Sequence, residues 1–105
     1  MNVHSEILKL KTMLEEAHIP FSFSDRTIND PNYGDIRQIH VKRHCSDGNG
    51  KLSFIHHFTT GKEGSAFFNS IGAEYGWIEC ARVYDSGMVD SPFPCKSAQE
   101  AFKLI

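Results

Sequence analysis

The chain has 105 residues, 40% of them hydrophobic and 23% charged, with a formal net charge of -2, a size and balance that fit one folded domain and exclude a disordered polyelectrolyte. It contains no block of lysine and arginine to grip a phosphate backbone non-specifically, and its acidic excess is too small to imitate DNA. No apolar run approaches the ~20 residues of a membrane-spanning helix, and MNVHSEILKL lacks the basic start and apolar middle of a signal peptide, so a cytoplasmic protein without a membrane partner is expected.

Val3, Ile7, Leu10, Leu14 and Ala17 recur at steps of three and four, the spacing of a helix stripe, and predict an amphipathic helix from about residue 3 to 18. Asn2 is placed to cap its start and Pro20 to end it. FSFS, residues 21–24, alternates like a half-buried strand, and DRTINDPNYGD reads as a loop. Residues 36–44 and 51–59 are β-rich runs joined by CSDGNG, whose Asp-Gly and Asn-Gly steps favour a hairpin turn. GKEGSAFFNSIGAEYG holds a short apolar run, Ala66 to Ile71, compatible with one or two helical turns. WIECARVY predicts another strand, and DSGMVDSPFPC returns to turn chemistry. SAQEAFKLI opens with Ser97 and Glu100 in capping-box spacing and continues with a stripe of Ala98, Ala101, Phe102 and Ile105. The expected class is α+β, with about four antiparallel strands and both the N-terminal and C-terminal helices packed on one face of the sheet.

Four of the six histidines fall between residues 38 and 58. A short turn at CSDGNG places His40 directly opposite His56, with Cβ atoms ~5 Å apart, close enough to offer two nitrogen ligands to zinc. A third and fourth ligand at metal-site spacing are missing, so the plainer reading is histidines lining a partly covered sheet, with Phe54, His56 and Phe58 on one face and Ile55 and His57 on the other. No metal or cofactor is expected. The cysteines, Cys45, Cys80 and Cys95, are odd in number and widely spaced, which favours reduced thiols, and no signature brings a base to any of them. The aspartates cluster at turns, where they hold backbone, and an enzyme is not expected.

Two groups of side chains remain as candidate binding residues. Lys42, Arg43 and Lys51 converge at the hairpin tip and suit an anionic nucleotide or nucleic acid, although a solvated strand end is the commoner explanation for so little gathered charge. Phe67, Phe68 and Trp77 lie where periodicity is weak and suit anchors in a protein interface, although a small core also absorbs such rings.

The segments KLKTMLEEAHIPFSF, IHHF, the Tyr75-Gly76 step and SAQEAFKLI together resemble a group of small proteins from prophages and other mobile elements of Firmicutes. That resemblance implies a genomic setting: such proteins often act by binding a host component, and some block immune systems. The function expected from it is a non-enzymatic binding protein acting through contact with a host protein, with a bacterial defence system such as CRISPR as a target. A small-ligand or nucleotide-sequestering protein is the alternative. The longer turn CSDGNG and the segment TTGKEGSAFFNSIGA depart from the group, and the sequence sets no oligomeric state.

Overall fold

The computed structural model describes residues 6–27, 35–42, 50–59, 62–64 and 77–105. Helix α1, Glu6–Glu16, is followed by strands β1, Ser22–Thr27, β2, Asp35–Lys42, β3, Lys51–Thr59, β4, Lys62–Gly64, β5, Ile78–Val83, and β6, Phe93–Cys95. Helix α2, Ala98–Phe102, closes the chain. The sheet runs β1-β2-β3-β5-β6 with every pairing antiparallel, and β4 pairs with the far end of β3. This is the α+β architecture expected, with both helices on one face. Asn2 and the apolar run Ala66 to Ile71 lie outside the described residues.

Helix α1 buries Ile7, Leu10 and Leu14, three residues that the 3.6-residue repeat places on one stripe. Its end is built differently from the sequence reading. The amide of His18 donates to the Glu15 carbonyl at 3.2 Å and that of Ile19 to the Leu14 carbonyl at 3.0 Å, with His18 at φ 57. This paired pattern closes a helix through one left-handed residue, and Ile19 then folds back onto the core. The stop therefore lies at His18, two residues before Pro20. Helix α2 starts with the Ser97 half of the expected capping box: the Ser97 hydroxyl accepts the Glu100 amide at 3.2 Å.

Strand β1 extends beyond its expected limits, and β4 and β6 form where no strand was expected, because pairing overrides local turn propensity. Strand β1 continues through Asp25, Arg26 and Thr27, which face Arg37, Ile36 and Asp35. Strand β6 forms inside the segment expected to be turn alone, with Ile78 facing Cys95 and Cys80 facing Phe93. Pro92 and Pro94 sit in and beside it, which fits an edge strand because proline offers no amide to a further neighbour.

Residues that face each other across an antiparallel pair share a side of the sheet, and successive residues alternate. Ile39, Val41, Phe54, Ile78, Cys80 and Cys95 accordingly lie on one face, where they meet Ile7, Leu10 and Leu14 of α1 and Ala98 and Ala101 of α2 in a single core cluster. The other face carries Ser22, Ser24 and Arg26 of β1, Gln38, His40 and Lys42 of β2, Lys51, Ser53, Ile55 and His57 of β3, and Glu79 and Ala81 of β5. Neither helix packs there.

Candidate functional site

The expected apposition of His40 and His56 is not formed. His40 faces Ser53 and His56 faces Arg37. The described β2–β3 pairs end at Lys42 with Lys51, and the register is moved by three positions from the one a short turn would set. An odd shift exchanges the faces. His56 therefore lies under the helices at 1% exposure, while His40 is half-buried on the opposite side, and the two cannot share a metal ion. Among the described residues no group of three or more histidine, cysteine, aspartate or glutamate side chains is arranged to hold a metal.

On the helix side the polar groups tie elements together. Glu6 accepts a 2.7 Å hydrogen bond from Lys9 and a 3.0 Å bond from the amide of Ala98, which joins α1 to the first turn of α2. Burial pushes the Glu6 carboxyl up, but the Lys9 bond, the Ala98 bond, the Lys9 charge and an electrostatic contribution from His56 together hold it below its ordinary value. A carboxyl lowered on folding stabilises the fold above its unfolded value, and that contribution is lost as pH falls through the lowered value. Glu6→Gln keeps an acceptor for Ala98 but removes the charge. Its thermal midpoint is expected to fall less steeply than that of the parent on acidification below the ordinary carboxylate range, a difference that melts across an acid pH series will read. Parallel acid limbs would remove Glu6 from this role.

Cys80 and Cys95 are both free and buried. Interaction with Cys95, then burial, holds the Cys80 thiol well above its ordinary value, and the same interaction lowers Cys95 while burial and Glu100 push it the other way. The sequence separation of these cysteines hid the contact, which arises only because β6 returns beside β5. Arg37 meets Asp25 at 3.4 Å, and its guanidinium lies 5.7 Å from the Phe58 ring centre.

The candidate binding residues fall into separate places. Lys42 and Lys51 are register partners on the face opposite the helices, as convergence at the hairpin tip requires. Trp77 is half-buried just before β5, and the ammonium of Lys96 lies 5.3 Å from its ring centre. Phe67, Phe68 and Arg43 lie outside the described residues.

A further apolar group comes from the arm joining β5 to β6. The Tyr84 amide donates to the Met88 carbonyl at 2.8 Å, the Gly87 amide to the Tyr84 carbonyl at 2.9 Å and the Asp90 amide to the Arg82 carbonyl at 2.9 Å. Gly87 takes φ 92, a left-handed value natural to glycine, and the Tyr84 hydroxyl donates to Asp90 Oδ2 at 2.9 Å. Arg82 stacks over Tyr84 at 4.2 Å from the ring centre. On this hydrogen-bonded arm Met88 is 71% exposed and Val89 59%, and Phe93, the first residue of β6, is 40% exposed. The sequence signal was the apolar Met-Val pair inside a turn-rich segment, which turn chemistry alone does not require.

No family model, curated protein or solved structure matches the chain. No helix among the described residues is long and apolar enough to cross a membrane.

Proposed function

We propose that this protein is a non-enzymatic binding protein that works by contact with a host protein, and that the β5–β6 arm is its contact surface. The observation that carries this reading is the exposure of Met88 and Val89 on a turn held by its own backbone hydrogen bonds, with Phe93 exposed at the start of β6. Apolar side chains left in water on an ordered support are what a partner surface can bury at low entropic cost. Methionine adapts its shape to an irregular surface, and phenylalanine offers a large apolar area. Pro92 and Pro94 favour side-chain docking over strand addition, because they deny a partner strand two amides. The resemblance to mobile-element proteins of Firmicutes supplies the class of partner: a cytoplasmic component of a bacterial defence system such as CRISPR.

The experiment is a phage or plasmid interference assay in cells with an active CRISPR system, expressing either the parent protein or Met88→Asp combined with Val89→Asp. The parent is expected to relieve interference and to co-purify with a component of that system, and the double variant is expected to fold and do neither. Loss of a central apolar anchor costs a complex about 2 kcal/mol or more. A parent protein that leaves interference untouched rejects the defence target. Equal capture of a partner by parent and variant rejects the arm.

A further inference from the structure

The sheet face opposite the helices carries a second, independent arrangement. Across β1, β2, β3 and β5 one row of facing residues reads Ser22, His40, Ser53, Ala81, which are small side chains around one imidazole. The next row towards the turn brings Lys42 against Lys51, with Cβ atoms ~5 Å apart and ~7 Å along the strands from the His40 row at ~3.3 Å per residue. Long cationic side chains thus rise beside a low floor of hydroxyls. Arg26 closes the other side: its guanidinium donates to Gln38 Oε1 at 3.0 Å, and Gln38 Nε2 donates to Ser53 Oγ at 3.0 Å. Because the Ser53 oxygen already accepts a hydrogen bond from Gln38, its own hydroxyl hydrogen is directed elsewhere, as a donor.

We propose that this face is a phosphate-binding site, in which Lys51 and Lys42 contribute charge, Ser53 and Ser22 donate hydroxyl hydrogens, and His40 becomes a further donor on protonation. The ligand class is a small phosphate-bearing anion, either inorganic phosphate or the polyphosphate of a nucleotide. Charge complementarity is the reason. Neither lysine has an ion-pair partner among the described residues, so two cations stand side by side at a cost that an anion would remove. Of the groups that face His40 from β1, β2, β3 and β5, Arg26, Lys42 and Lys51 are cationic, and Glu79, in the neighbouring row, is the one carboxylate on this face among the described side chains. Burial, then Lys51, then Arg26 hold the His40 imidazole below its ordinary value. A bound phosphate reverses the electrostatic part of that shift, and the imidazole takes up a proton. The site is distinct from the β5–β6 arm, and its failure leaves the protein-contact reading standing.

The test is an NMR titration of the His40 ring protons in the full chain, alone and with inorganic phosphate, with adenosine triphosphate, or with a single-stranded oligonucleotide, at low ionic strength. Phosphate or the nucleotide is expected to raise the His40 midpoint, to leave the buried His56 resonances in place, and to lose affinity as salt rises. Lys51→Met, which keeps the apolar length, is expected to weaken binding about tenfold. Lys42→Met, at an exposed position, provides the same reading should the first variant fail to fold. Stronger binding of the nucleotide than of phosphate identifies a nucleotide site, and equal binding a free-phosphate site. The proposal is overturned if neither anion moves His40 at millimolar concentration, if both lysine variants bind like the parent, or if only the oligonucleotide binds.

Discussion

Leu14→Ala is expected to unfold the protein or lower its denaturation midpoint sharply. Leu14 is fully buried, belongs to the cluster formed by α1, α2 and the sheet, and lends its carbonyl to the bond that turns Ile19 back onto the core. Truncating a buried leucine costs about 2–5 kcal/mol, a large share of a stability that runs to about 5–15 kcal/mol for a domain of this kind. Glu16→Ala, at an exposed position of the same helix, is expected to fall within about 0.5 kcal/mol of the parent. Urea denaturation of the three proteins decides the matter: coincident curves for Leu14→Ala and the parent would show that α1 is not docked through this stripe.

Gly50→Ala is expected to be nearly as damaging, for a reason that turn propensity alone does not give. Gly50 has φ 97, and a Cβ built on it would stand 2.7 Å from the Val83 carbonyl oxygen, which belongs to backbone and cannot swing aside. A side chain there meets left-handed strain and a collision between β3 and β5 together, and a loss of about 2 kcal/mol or more follows. Gly87 is the control. It has φ 92 with nothing within 4 Å of the same construction, so Gly87→Ala carries the conformational cost alone, about 1 kcal/mol. Thermal denaturation is expected to rank the two variants in that order. Equal losses would mean that the close approach of Gly50 to Val83 is not part of the folded state.

The parts of this fold that were legible in the sequence are those governed by a local repeat. Ile7, Leu10 and Leu14 announce their stripe because three and four residues make one helical turn, and Ser97 announces its cap because the bond spans only three residues. Along β3, the alternation of Phe54, His56 and Phe58 with Ile55 and His57 correctly separated the two faces. What the sequence did not disclose depends on pairing between segments. The register between β2 and β3 decides whether His40 meets His56 or Ser53, and turn propensity locates a turn without fixing that register. Strand β6 contains Pro94, which argues against a strand anywhere but an edge, and only its partnership with β5 reveals it. The contact between Cys80 and Cys95 and the row Ser22, His40, Ser53, Ala81 are consequences of that same register. Of the candidate site, the lysines were visible as a pair of cations near one turn. The exposure of Met88 and Val89 was not, because apolar residues in a turn-rich stretch read equally as filling for the core.

His40 and His56 mark the division of the sheet on which the proposed phosphate site depends, one half-buried on the polar face and the other buried on the helix-covered face. Carbethoxylation of the native protein with diethyl pyrocarbonate, followed by peptide mass spectrometry, measures that division directly. His40 is expected to react under conditions in which His56 is protected, and His56 to react only when the protein is unfolded. Modification of both residues at equal rates in the native protein, or protection of His40 with reaction at His56, would contradict the register and with it the separation of a helix-covered core from a cationic face.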